Sequence, residues 1–170
     1  NGADISREKL ISYIDEVRKT SKPEDIFVFY YAGESTLSNT QQYIDFNAGD
    51  TAAGRIAITE LMDHIDLVYA NKKMVITDLP NASLLNLITT KYASTGNNSA
   101  EIIFLSPGLE TPVQDNGVSL FTNQLVKTMN ELQQKGSFTA KDFIDKASYT
   151  VGRGQHYLPV LSFTNSKDFI

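Results

Sequence analysis

The feature that most constrains this chain is an uncharged run of β-branched and aromatic residues. Residues 26–32 read Ile-Phe-Val-Phe-Tyr-Tyr-Ala, and Gly33 follows them. Such side chains favour strands, and a strand without apolar–polar alternation is typical of one that is buried on both faces. Strands of that kind occur in parallel sheets covered by helices on each side. The run therefore predicts a buried strand of a parallel sheet.

Three later segments have the same strand character, at residues 73–78, 101–106 and 159–164. The intervals between them contain apolar residues at helical spacing. Strands that alternate with helices predict an α/β fold with a mainly parallel sheet and right-handed crossovers. Because functional groups gather beyond the carboxyl ends of such strands, we expect a site at the strand ends that begin at Gly33, Asp78 and Ser106.

Three of the predicted helices begin at short polar residues, which satisfy the free N–H groups of a first helical turn. Asp4 or Ser6 is expected to cap the first helix, Thr59 the second and Ser119 a later one. Residues 34–42 are polar and are predicted to form a loop. The core positions expected on the helix after Thr59 are Leu61, Ile65 and Val68. Those expected on the helix after Ser119 are Phe121, Leu125, Met129 and Leu132.

The composition excludes several classes of site and partner. With no cysteine among 170 residues, the chain has no disulfide, no thiolate metal ligand and no cysteine nucleophile. Its two histidines do not make a histidine-rich metal centre, and a net charge of −5 argues against nucleic-acid binding. No apolar run approaches the roughly 20 residues that span a bilayer. We expect one globular, cytoplasmic domain, residues 1–170, without metal, cofactor, nucleic acid or membrane.

Two strand ends resemble the active-site motifs of the caspase-like peptidases, closest to their bacterial and metacaspase branch. In that family one strand ends in Gly-His-Gly, which contains the catalytic histidine. The next ends in Asp-x-Cys-x-Ser-Gly, which contains the nucleophilic cysteine. This chain matches the first strand and its glycine, but Glu34 stands in place of the histidine. It matches the aspartate with Asp78, but Pro80 stands in place of the cysteine.

Three further segments, at residues 47–51, 119–122 and 155–160, also resemble the family, in the same order. The resemblance covers the chain from about Ala3 to its end. It implies a caspase-like three-layer sandwich, in which helices cover both faces of a mainly parallel sheet. The family's N-terminal strand or strands would lie before Asn1, so we expect the sequence to be a fragment or a processed product.

The substitutions at the two catalytic positions predict an inactive homologue, a pseudopeptidase rather than an enzyme. The cysteine peptidase mechanism needs a thiolate nucleophile and an imidazole that activates it. Pro80 has no nucleophilic atom, and Glu34 therefore has nothing there to activate. We expect the domain to bind or scaffold a peptide or protein segment.

The resemblance also implies a binding pocket. In metacaspase-type enzymes, the aspartates at the positions that correspond to Asp50 and Asp78 of this chain accept an arginine or lysine side chain. Together with Glu34, they are the candidate ligand-binding residues for a basic peptide. The competing interpretations are that Glu34 is a solvated loop carboxylate, that Asp78 caps the following turn and that Asp50 holds its own loop.

Two other functions remain open from the sequence. The chain could be a hydrolase that uses Ser83 or Ser35 as its nucleophile, although neither has a histidine beside it in the predicted fold. It could instead be a structural dimerisation domain, with a homodimer formed through the edge of the last strand, residues 160–163.

Overall fold

The structure, a computed structural model, describes most of the chain from residue 5 to residue 163. The described residues are 5–39, 41–46, 54–79, 101–106, 114–115, 118–139, 142–143, 145–147 and 160–163. Its helices are α1 (Arg7–Thr20), α2 (Ile58–Asp66) and α3 (Leu120–Gln133), and its strands are β1 (Ile26–Ala32), β2 (Glu34–Ser38), β3 (Gln41–Asp45), β4 (Arg55–Ala57), β5 (Lys72–Asp78), β6 (Glu101–Ser106), β7 (Gln114–Asp115), β8 (Val118–Ser119) and β9 (Val160–Phe163). Among these residues, no helix is long and apolar enough to cross a membrane.

Among the described residues, the main sheet contains four strands in the order β1-β5-β6-β9. β1, β5 and β6 are parallel, with Ala32 opposite Asp78 and Ile76 opposite Leu105. β9 is antiparallel to β6 and forms one edge. The predicted α/β class with a mainly parallel sheet is therefore confirmed.

A second, antiparallel sheet follows β1 and contains β2, β3 and β4. It corrects the prediction of a loop over residues 34–42. β2 is mostly solvent-exposed, and Asn39, with a φ of 48°, turns the chain back towards β3. A polar hairpin strand carries little of the apolar pattern from which strands are predicted.

Two apolar clusters lie on opposite faces of the main sheet because successive strand residues point to opposite sides. On one face, α1 and α2 pack against Phe29, Val75 and Ile102. On the other face, α3 packs against Ile76 and Leu105. The helices thus cover the sheet from both sides.

Two of the three N-caps predicted above, those of α1 and α3, are confirmed by the structure. Ser6 caps α1 by accepting a hydrogen bond from the backbone N–H of Lys9, at 3.2 Å. Ser119 caps α3 in the same way and accepts from the N–H of Thr122, at 3.1 Å. Thr59 does not cap α2: it lies inside the helix, and its hydroxyl accepts from Nε2 of Gln41, at 2.6 Å.

β1 is not buried on both faces as its sequence predicts. Phe27, Phe29 and Tyr31 face the α1–α2 side, whereas the opposite face of β1 is exposed. The reason is its place at the edge of the sheet, where α3 covers β5 and β6 instead. Met129 of α3, predicted as a core residue, is likewise exposed.

Gly33, the first residue after β1, lies directly against the ring of Tyr31. The Tyr31 hydroxyl donates to the backbone carbonyl of Asp45, at 2.8 Å, and the ring meets Phe46 edge-on, with centroids 6.2 Å apart. A Cβ atom on Gly33 would lie 2.6 Å from the Tyr31 hydroxyl oxygen and 2.8 Å from Cζ. Residue 33 must therefore be glycine if Tyr31 is to join β1 to β3.

We predict that Gly33→Ala lowers the free energy of unfolding by about 1–3 kcal/mol, because the added methyl displaces the Tyr31 ring. Urea denaturation measures this value. In a Tyr31→Ala background the same substitution should cost roughly 0.5 kcal/mol or less, since the clashing atoms are gone. Equal costs in the two backgrounds would contradict this role for Gly33.

Candidate functional site

The carboxyl ends of β1 and β5 lie side by side. We call this end of the main sheet, where its parallel strands terminate, the carboxyl edge. Ala32 and Asp78 are opposite each other, and the N–H of Gly33 donates to the carbonyl of Asp78, at 3.2 Å. Glu34 is the next residue along the chain. The structure therefore brings two predicted site residues, Glu34 and Asp78, to the same edge.

Asp78 is a buried carboxylate with two hydroxyl donors on one of its oxygens. The residue is only 4% exposed. Its Oδ2 accepts from the Thr122 hydroxyl, at 2.6 Å, and from the Ser119 hydroxyl. Its Oδ1 is buried without a hydrogen-bond partner in the part of the chain that the structure describes. One oxygen of the carboxylate thus lacks a hydrogen-bond donor among the described residues.

The start of α3 supplies this environment. Asp78 points to the α3 face, as Ile76 does two residues earlier, because side chains alternate along a strand. Ser119 is the N-cap of α3, and Thr122 follows it by three residues, close to one helical turn. The Thr122 hydroxyl also pairs with the hydroxyl of Tyr30, at 2.8 Å. Tyr30, Thr122, Asp78 and Ser119 therefore form one hydrogen-bonded network.

The electrostatics favour a ligand that carries a hydrogen-bond donor. Burial raises the pKa of Asp78 above its usual value, and the hydrogen bonds from Thr122 offset part of this shift. An ionised, buried oxygen without a donor is costly. A guanidinium or ammonium group brings both a positive charge and N–H donors, so it suits Oδ1 best.

Glu34 differs from Asp78 because its side chain is exposed, at the start of β2 and opposite Asp45. Its charge still acts on the neighbouring Tyr31. Burial, with smaller contributions from Asp45 and Glu34, raises the pKa of Tyr31 to about 12. Tyr31 therefore stays protonated at neutral pH and serves as a hydrogen-bond donor rather than as a base.

Ser35, one of the two candidate nucleophiles, is a buried residue of β2. Its hydroxyl accepts a hydrogen bond from Nε2 of Gln42, at 3.2 Å. An amide of this kind cannot take up the proton that a serine nucleophile must lose. This contact therefore supplies no general base.

Several predicted positions lie outside the described residues. They are Asp50, Pro80 and Ser83. Among the residues that are described, no group of three or more histidine, cysteine, aspartate or glutamate side chains could hold a metal ion.

Sequence reasoning did not assign Tyr30, Ser119 or Thr122 to the site. It identified Ser119 as a helix cap and residues 119–122 as a segment that resembles the family. The signal that could have placed them in the site is a pair of hydroxyls, Ser119 and Thr122, one helical turn apart. Two further polar atoms at this edge are also buried without a hydrogen-bond partner among the described residues, the hydroxyls of Thr77 and Ser106. The alternation of side chains places Thr77 on the α1–α2 face, opposite to Asp78.

Comparison with known proteins bears on the fold alone. No protein-family model matches the chain, and no curated protein matches it. Among solved structures, it is similar to protein GSU0716 from Geobacter sulfurreducens, with a TM-score of 0.59 and 16% sequence identity. That similarity covers 96% of this chain and 75% of the Geobacter chain.

We predict that Asp78→Asn changes the pH dependence of stability. Because burial raises the pKa of Asp78 in the folded state, the native protein binds this proton more tightly than the unfolded chain. The stability of the wild type relative to the Asn variant should therefore be greatest below the ordinary value of 3.8 and fall as the pH rises through the raised pKa. Urea denaturation between pH 3 and pH 7 gives the difference. A constant difference would contradict a raised pKa.

Asp78→Ala should behave differently, since alanine leaves the hydroxyls of Ser119 and Thr122 without their acceptor. We expect a loss of about 1–3 kcal/mol in the free energy of unfolding at neutral pH. Asn, which retains one acceptor oxygen, is the matched control. Equal stabilities of the two variants would show that the hydrogen bonds to Asp78 do not contribute.

Proposed function

We propose that the chain is a caspase-like domain without peptidase activity that binds a peptide or protein segment containing a basic residue. The observation that carries the proposal is the buried Asp78 carboxylate, whose Oδ1 has no partner among the described residues. It lies at the carboxyl edge of the sheet, where open α/β sheets bind ligands. Glu34 adds a second negative charge to the same edge.

The chemistry of the edge supports binding rather than peptide cleavage. Glu34, at the position of the family's histidine, is an exposed carboxylate. The sequence has proline at the position of the cysteine and has no cysteine anywhere. Nucleophile and imidazole are both replaced, and removing one such partner alone costs several orders of magnitude in rate.

The caspase-like sandwich is part of the proposal. Its support is the parallel order of β1, β5 and β6, with α1 and α2 on one face and α3 on the other. We further propose that the domain acts in the cytoplasm, without a cofactor, and that Asp50 contributes to the same acidic pocket as Asp78.

One observation favours a second candidate function, a dimerisation domain. β9 forms an edge of the described sheet, and an edge strand offers unpaired backbone groups to a second copy. In this alternative, two protomers join through Val160–Phe163. Analytical ultracentrifugation of the chain tests it directly.

We predict that labelled peptides with a central Arg or Lys bind and remain intact, whereas peptides with Asp or Leu at that position do not bind. Fluorescence polarisation followed over time should show a stable rise for the basic peptides only. Asp78→Asn should weaken the binding about tenfold, because it removes a charge-assisted hydrogen bond. Asp63→Asn is the matched control, since it removes an exposed carboxylate from α2.

Other time courses separate the alternatives. A rise followed by a decay would mean cleavage, and its loss in Ser83→Ala or Ser35→Ala would identify the chain as a hydrolase with that nucleophile. A flat trace for all four peptides would refute peptide recognition and leave the dimerisation domain.

A further inference from the structure

Two buried hydroxyls lie side by side where β5 and β6 end. Ile76 is opposite Leu105 in the register of these parallel strands, so the next residues, Thr77 and Ser106, are neighbours. Only 2% of Thr77 and 1% of Ser106 is exposed to solvent. We call these two residues the hydroxyl pair. It lies at the carboxyl edge, and Ser106 begins one of the three strand ends at which the sequence predicts a site.

The hydroxyl pair points to the α1–α2 face of the sheet, away from the side chain of Asp78. Side chains alternate along a strand, and the preceding residues, Ile76 and Leu105, belong to the apolar cluster under α3. The hydrogen-bonded network of Asp78 is therefore on the other side of the sheet. The hydroxyl pair is a separate polar feature, which the proposed peptide-binding function does not use.

Neither hydroxyl of the pair has a hydrogen-bond partner among the described residues, and the two do not bond to each other. A buried hydroxyl without a partner is costly, because folding removes the water that it binds in the unfolded chain. Thr77 and Ser106 carry this cost at the same place. One ligand between them would supply a hydrogen-bond partner to both.

The spacing of the two strands suits a single bridging atom. Neighbouring strands lie about 4.8 Å apart. Oxygens at that separation are too far apart for a direct hydrogen bond between two hydroxyls, whose usual length is about 2.8 Å. Two hydrogen bonds of this length that meet at one oxygen atom span up to about 5.6 Å. A ligand with one small polar atom therefore fits between the side chains.

The surroundings of the hydroxyl pair do not suit a charged ligand. Val75 and Leu79, on either side of Thr77 along the chain, belong to the apolar cluster of this face. Tyr31 of β1 is opposite Thr77, and its hydroxyl already donates to the carbonyl of Asp45. An ion without a counter-charge is too costly in such an environment. The suitable ligand is a small neutral molecule that donates and accepts hydrogen bonds.

We propose that the hydroxyl pair binds one buried water molecule, which bridges the ends of β5 and β6. Buried waters bind where polar groups would otherwise lack partners, and they need at least two such groups. A water molecule can serve each hydroxyl as a donor or as an acceptor, so it satisfies both Thr77 and Ser106. This site is independent of the proposed peptide-binding function and remains if that function is wrong.

The bridging water holds the end of β5 from the face opposite to α3. Thr77 and Asp78 are consecutive residues that point to opposite sides of the sheet. Asp78 is bound to the start of α3 through Ser119 and Thr122. The water binds Thr77 to Ser106 of β6, so the carboxyl edge is fixed from both faces.

A crystal structure of the wild-type chain tests the proposal directly. We expect a peak of electron density at hydrogen-bond distance from both Oγ1 of Thr77 and Oγ of Ser106. The peak should be absent from the double variant Thr77→Val, Ser106→Ala, which has no side-chain oxygen at either position. A protein atom bonded to either hydroxyl, no density between them, or a peak that persists in the double variant would overturn the proposal.

Urea denaturation tests in solution whether the two hydroxyls share one partner. Each single substitution, Thr77→Val or Ser106→Ala, should lower the folding equilibrium constant about tenfold, because it leaves the water and the other hydroxyl one hydrogen bond short. The double variant should also lose no more than about tenfold, since both polar groups are gone. Losses that multiply to about a hundredfold would show that the hydroxyls are independent and contradict a bridging water.

Thr128→Val is the matched control for this double-variant experiment. Thr128 is 1% exposed, and its hydroxyl also has no partner among the described residues. It lies in α3, however, on the other face of the sheet. The losses from Thr128→Val and Ser106→Ala should therefore multiply, because the two residues share no water. Coupling as strong as that between Thr77 and Ser106 would show a general effect of removing buried hydroxyls and would refute the bridge.

Discussion

The alternation of side chains along β5 is the constraint on which the rest of this structure depends. β5 lies between β1 and β6. Val75 therefore reaches the cluster under α1 and α2, while Ile76, the next residue, reaches the cluster under α3. A register shift of one residue would exchange the two faces and would turn Asp78 away from Ser119 and Thr122. The two cores and the candidate site are thus set by one strand.

The two ends of β5 use buried polar groups differently. Near the amino end, Lys73 is almost fully buried, and its ammonium donates to the backbone carbonyl of Asp66 at the end of α2, at 2.7 Å. Burial lowers the pKa of Lys73, and Asp66 opposes that shift. The ammonium group thus provides a hydrogen-bond donor and a positive charge for the carbonyl groups at the end of α2. At the carboxyl end, Asp78 accepts hydrogen bonds from Ser119 and Thr122 at the start of α3. Its Oδ1, however, has no partner among the described residues.

Apolar periodicity and capping residues in the sequence predict the strands β1, β5, β6 and β9 and the caps at Ser6 and Ser119. The sequence does not predict β2, because an exposed hairpin strand has polar residues at most positions. It assigns both faces of β1 to the core, because apolarity alone cannot show that a strand lies at an edge. The sequence also does not identify the hydrogen-bond partners of Asp78, since they lie more than 40 positions away in the chain.

The hydroxyl network joins the exposed face of β1 to the Asp78 carboxylate. An ionised Asp78 can only accept, so Thr122 must donate its single hydroxyl hydrogen to Oδ2. Tyr30 must then be the donor in its hydrogen bond with Thr122. The donors run in one direction, from Tyr30 of β1 through Thr122 of α3 to the buried carboxylate, and each bond polarises the next. Because the phenol donates its hydrogen to Thr122, it cannot donate to Oδ1 of Asp78 as well, and that oxygen is left without a donor from the network.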